Sequence, residues 1–228
     1  MKKYLSDIER DALLVHLIFI VACIVIIVLP IGIQIGIKLF ILVILYNLLI
    51  VIIGILRDYK EWLFIWSFVF LVSVFQIFPD WILSAEFNVL VFPEDGLFKI
   101  GTVSGYMVGL WVIPLFIIIF IAKQLQERYS KRIAYISVIL LSLAIFGISE
   151  QSIWMLQSWY AQNVVMIGHV ALYIIIPEII LGLSAYYGYE LIKEKHHLFK
   201  IPVSFLVMIL YLGNAVFYYF LIERVVFA

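Results

Sequence analysis

The sequence predicts an all-α membrane protein, a single seven-transmembrane-helix bundle over residues 1–228, with its N-terminus cytoplasmic and its C-terminus outside. Composition is the first reason: 66% hydrophobic and 13% charged residues with a mean hydropathy of +1.19 do not describe a soluble domain. The second is seven apolar stretches, each near the roughly 20 residues that a membrane crossing needs. The third is the placement of the basic residues, which sorts cleanly on a seven-span chain and is scrambled by six or eight spans.

The stretches cut at charged or Pro/Gly punctuation are 12–30, 35–56, 61–79, 101–122, 131–152, 164–192 and 201–222. The run from Ala12 to Leu56 is too long for one membrane helix, so Pro30, Gly32 and Gly36 mark a tight hairpin within it. Twelve of the fifteen Lys and Arg fall on the N-terminal side: Lys2, Lys3, Arg10, Arg57, Lys60, Lys123, Arg128, Lys131, Arg132, Lys193, Lys195 and Lys200. Only Lys38, Lys99 and Arg224 lie opposite. Basic connections face the cytoplasm, which sets the orientation. The first apolar run is longer than a signal-peptide core and no small-residue cleavage site follows it, so it is expected to stay as a signal anchor in a cell membrane. Cys23 is the only cysteine, which excludes an internal disulfide and a cysteine-based metal site. Zero net charge gives no case for nucleic acid, and no internal repeat is visible.

The long outer connection, 79–100, is too apolar for a solvated loop and too short in apolar run for a span. It is expected to fold over the bundle mouth as a lid, with Trp81 and Phe92 anchored in the interface and Val89 to Phe92 out of water. A second outer connection, 150–163, mixes Trp154, Trp159 and Tyr160 with polar residues, and these with Trp81 are read as an interfacial aromatic belt. Glu86, Glu94, Asp95 and Glu223 are read as wet outer-loop acids.

Glu178 is the most informative single residue. It follows Pro177 in the apolar run 164–192, about 20 Å below the outer end of that segment at 1.5 Å per residue. A carboxylate there costs several kcal/mol unless neutral, paired or facing a wet cavity. Pro177 is expected to kink the helix and free the Tyr173 carbonyl beside a neutral, proton-donating Glu178. Other polar residues at depth are Asn47, Gln76, Asp80, Tyr106, Glu150, His169, Tyr173 and Asn214. They suggest one outward-opening pocket, with Asp80 and Glu150 joining Glu178 as catalytic acids. His169, Tyr173, Trp111, Tyr106, Gln76, Asn47 and Asn214 would line it. For Asn47 and Asn214 interhelical hydrogen bonding is the favoured alternative. Gly101, Gly105 and Gly109 read as a small-residue helix stripe for close packing.

Several membrane chemistries are discounted on residues. The last segment has no lysine for a retinal Schiff base, only His169 lies at the depth that a zinc hydrolase of the ceramidase type requires, and Asp80 has no second aspartate for a magnesium diphosphate. Seven helices, the Pro177-Glu178 dipeptide and acids without bases resemble the small integral-membrane terpenoid and carotenoid cyclases, including lycopene-cyclase-type domains and fungal meroterpenoid cyclases. Ile179 stands where lycopene-cyclase-type domains often have a second acid. The resemblance implies protonation of an isoprenoid polyene or epoxide by a buried carboxylic acid, with no metal and no cofactor. The partners expected are membrane lipid and an apolar, isoprenoid-like small molecule. Two other readings remain open: a proton- or cation-coupled transporter or receptor, and a lipid-binding structural subunit without catalysis.

Overall fold

The computed structural model describes residues 5–30 and 32–227; Lys2 and Lys3, counted above among the basic residues, lie outside them. The fold is all-α at its core, with seven helices long and apolar enough to cross a membrane: α1 (Asp7–Val28), α2 (Ile35–Leu56), α3 (Lys60–Glu86), α4 (Met107–Arg128), α5 (Lys131–Leu156), α6 (Leu172–Ile192) and α7 (His197–Val226). Rows of exposed Leu, Ile and Val mark their outer faces, above all on α1, which with α5 is the least enclosed of the seven. α3 sits centrally, packing on α2, α4, α6 and α7, while α1 packs chiefly on α2.

Side chains close both ends of α1. At α1, Glu9 reaches back to accept from the backbone N–H and hydroxyl of Ser6, which satisfies an orphan donor of the first turn. At its other end, Lys38 from α2 donates to the carbonyls of Ile27 and Leu29, at 3.0 and 2.9 Å, so an apparently stray buried lysine caps α1. The basic residues gather at the opposite end of the bundle. There Arg57 pairs with Asp11 at 3.0 Å, Lys193 with Glu190 at 2.9 Å, Arg128 with Glu9, and Lys123 with Glu61.

The far end, here the hairpin end, carries three two-stranded antiparallel ladders. β1 (Leu90–Val91) pairs with β4 (Tyr160–Ala161), β2 (Lys99–Ile100) with β3 (Val103–Ser104), and β5 (Met166–Ile167) with β6 (Val170–Ala171). The β2–β3 and β5–β6 turns each place a glycine first, Gly101 and Gly168, both at φ +63, a conformation that two-residue hairpins require and side chains resist.

These hairpins correct three sequence expectations. The stretch 164–192 is helical only from Leu172, because 166–171 fold as β5–β6; Glu178 therefore lies six residues, about 9 Å, inside the helix rather than deep within it. Pro177 sits in the first turn of the regular helix Ile175–Ile192, where the missing N–H has no intrahelical partner to lose, so it starts that helix instead of kinking it. Gly101 and Gly105 lie outside α4, in and beside β2–β3, so the glycine stripe does not exist; only Gly109 makes a close helix approach, to Val43 and Asn47 of α2.

Candidate functional site

Three helices are interrupted at the hairpin end, and each resumes with a proline at its third position. α3 turns at Gln76 and restarts at Ile77 with Pro79; α4 turns at Trp111 and restarts at Val112 with Pro114; α6 becomes regular at Ile175 with Pro177. A proline tolerates that place because first-turn N–H groups are unpaired in any case. The restarts put Asp80 and Glu178, each directly after its proline, on the inner face, 3% and 4% exposed.

Both line one cavity of about 240 Å³ with Glu150, Ser149, Trp111, Trp159, Tyr173 and Tyr211 as its other polar groups; the remaining lining is aliphatic, Phe, Met and Pro. The indole N–H of Trp111 donates to Asp80 Oδ2 at 3.3 Å, and that of Trp159 to Glu150 Oε1 at 3.1 Å. Among the described residues no group hydrogen-bonds the Glu178 carboxyl, and no Lys, Arg or His lines the cavity. Three carboxyls in one largely apolar chamber cannot all carry charge unless a proton, cation or polar ligand compensates them. Among the described residues no group of three or more His, Cys, Asp or Glu could hold a metal ion. Aromatic rings line the cavity with the acids and pack on one another: Trp111 lies 5.6 Å from Phe146 and 6.0 Å from Tyr211, and Tyr173 lies edge-on to Tyr219 at 5.7 Å.

The roof is built by the two connections. α3 continues to Glu86, so only the later part of 79–100 is non-helical. Leu90 pairs with Ala161 across β1–β4, and both residues face the cavity, as does Phe92. Phe92 is 6% exposed and belongs to this roof rather than to an interface. The connection is held down by Asp95, 1% exposed, which accepts the Ser104 hydroxyl and the Leu97 N–H while its own carbonyl accepts from Gly36. Asp95 is thus a structural clamp, not a wet loop acid. Glu86 and Glu94 are exposed, and Glu223 is half-buried, accepting from the Val165 N–H at 2.9 Å.

The sequence-derived site residues divide accordingly. Asp80, Glu150, Glu178, Trp111 and Tyr173 meet in the cavity. His169 does not: it is the second turn residue of β5–β6 and stacks on Trp154 at 4.0 Å. Tyr106 is fully buried and donates to the Ser158 carbonyl at 3.0 Å. Asn47 ties three helices, donating to the Gly109 carbonyl at 3.3 Å and accepting from the Trp66 indole at 2.9 Å. Gln76 is fully buried with both amide atoms unpartnered among the described residues. Asn214 is half-buried and bonds its own helix at Leu210. Trp159, 7% exposed, belongs to the site rather than to an aromatic belt, whereas Trp81, Trp154 and Tyr160 keep 38%, 38% and 40% of their surface exposed. Trp159 and Tyr211 were not expected in the site. Pro-acid dipeptides occur at 79–80, 93–94 and 177–178, and the first and last, the two that fall within or at the end of an apolar stretch, are the available signal linking Asp80 to Glu178.

A model of a domain of unknown function, DUF6989, matches residues 77–222. The chain belongs to that family. The match starts at the restart of α3 and takes in all three carboxyls of the cavity, together with Trp111, Trp159, Tyr173 and Tyr211, and it leaves out α1, α2 and Asn47. No curated protein and no solved structure matches the chain.

Proposed function

We propose that this DUF6989 protein is an integral membrane enzyme, with its basic end in the cytoplasm and its hairpin end outside, that cyclises an isoprenoid by acid catalysis in the carboxyl cavity. The observation that carries the reading is the cavity itself: three acids without a basic partner, set among aromatic and aliphatic walls. In the reaction, neutral Glu178 gives its proton to a terminal alkene carbon or epoxide oxygen; a C–H or O–H bond forms as the carboxyl O–H breaks. The resulting carbocation meets the faces of Trp111, Tyr173 and Tyr211, which attract cations. Ring closure follows, and a carboxylate takes up the proton that leaves the last cation. Asp80 and Glu150 suit that acceptor role, since each already receives an indole N–H, as a carboxylate favours. Water is kept from the cation by the β1–β4 roof.

Two further features support the reading, one for a membrane-dissolved substrate and one against transport. Ile113 and Ile117 line both the cavity and a second, largely apolar groove of about 660 Å³ along α1 and α4, a path for an apolar chain from the side of the bundle. Between the cavity and the basic end, Trp62, Ile65, Phe68, Val69 and Phe116 are fully buried, which favours a closed chamber over a transport path.

The test compares membrane extracts of cells expressing the wild type and Glu178→Gln, at equal protein level, by mass spectrometry of the isoprenoid fraction. A cyclised isoprenoid that appears only with the wild type is expected. Identical extracts from the two would refute the assignment.

A further inference from the structure

At the basic end, away from the carboxyl cavity, a groove of about 860 Å³ lies between α2, α3, the end of α6 and the start of α7. Lys200 lines it and is 6% exposed, yet no carboxylate pairs with it among the described residues. Its ammonium donates to the Ser67 hydroxyl and stands 3.9 Å over the Phe64 ring, which leaves two of three donors without a hydrogen-bond acceptor. A buried cation without an anion is costly unless something compensates it.

The other charges facing the groove do not compensate it. Glu61 is held by Lys123 and by the Tyr189 hydroxyl, and Lys193 by Glu190. That leaves Lys60, whose nearest acid, Asp58, is 4.0 Å away with both side chains more than four-fifths exposed, together with Lys200, against the single carboxylate of Glu194. Beside these cations the wall is apolar: Val51 and Ile55, one turn apart on α2, and Leu63 on α3.

A cationic floor with an apolar flank at the helix ends matches an amphiphile with an anionic head. We propose that this groove binds an anionic phospholipid, its phosphate on Lys200 and Lys60 and an acyl chain along Val51, Ile55 and Leu63. Basic pockets between membrane helices hold anionic headgroups by the same physics. The acyl wall is what selects a lipid over free phosphate.

The test uses the full chain purified in an uncharged detergent. Native mass spectrometry measures binding of phosphatidylglycerol, of phosphatidylcholine with the same acyl chains, and of glycerol 3-phosphate. Phosphatidylglycerol should bind at least tenfold more tightly than either. Lys200→Gln and Lys60→Gln should each weaken it about fivefold, the ratio that about 1 kcal/mol per basic residue gives. Lys131→Gln, outside the groove, should leave it unchanged. If Lys200→Gln does not fold, exposed Lys60 decides the matter. Equal binding of phosphatidylcholine, equal binding of glycerol 3-phosphate, or wild-type affinity in the folded lysine variants would overturn the proposal.

Discussion

Replacing Asp95 with alanine tests how the cavity roof is held. The carboxyl accepts the Ser104 hydroxyl at 2.5 Å and the Leu97 N–H at 3.0 Å in a site that is 1% exposed. Hydrogen bonds to a charged group contribute about 1.5–3 kcal/mol each, and truncation also strands the buried Ser104 hydroxyl. Because both bonds share one side chain and water can enter the space left, the expected loss is about 3 kcal/mol rather than the full sum. At about 2–4 °C per kcal/mol for a chain of this size, Tm in detergent should fall by roughly 6–12 °C. Asp95→Asn keeps the shape and an acceptor and should lose about a third of that. The same clamp carries Leu90 and Phe92, so a cysteine placed at Leu90 should react faster with a water-soluble thiol reagent in the Asp95→Ala background. A variant as stable as the wild type, with unchanged labelling at Leu90, would refute the clamp.

Three further outcomes follow from the packing. Asn47→Leu breaks the ties to Gly109 and Trp66 and should cost about 1–2 kcal/mol in unfolding by denaturant, since interhelical bonds of this kind average about 0.6 and reach about 1.7 kcal/mol each; an unchanged midpoint would contradict the tie. Gln76→Leu removes a fully buried amide with no partner among the described residues and should leave stability unchanged or raise it by about 1 kcal/mol, whereas any clear loss would mean the amide is engaged. A reporter active only in the cytoplasm, fused to the C-terminal residue, should stay silent while the same reporter at the N-terminus is active; a strong signal at both ends would mean an even number of spans and contradict the topology.

The helices were legible because hydrophobic length needs no tertiary information: α1, α2, α5 and α7 lie within a few residues of their apolar stretches. What stayed hidden were the hairpins. Met166 to Ala171 is as apolar as the helix it precedes, and only the left-handed Gly168 divides them. Gly101 and Gly105 fit a helical spacing by accident of the same kind. The acids of the cavity were readable from the cost of burying a charge once the apolar stretches were placed, which puts Asp80, Glu150 and Glu178 at depth. Trp159 and Tyr211 were not, because an indole in a connection and a tyrosine on an apolar helix look the same from sequence whether they face lipid or a cavity. Asp95 was misread for a related reason: its partners Ser104 and Gly36 are brought to it only by the folded connection.

The most direct measurement of the central claim is isotopic. Purified protein in detergent is incubated in D₂O with a terminal polyprenyl epoxide, and the products are analysed by mass spectrometry and deuterium NMR, alongside a polyprenyl alkene. If Glu178 delivers a solvent-exchangeable proton, the alkene should yield a cyclised product with one carbon-bound deuterium, the epoxide a cyclised alcohol, and Glu178→Gln neither, while remaining folded. Absence of cyclised product from the wild type with both probes, or equal turnover by the folded Gln variant, would contradict acid catalysis in this cavity.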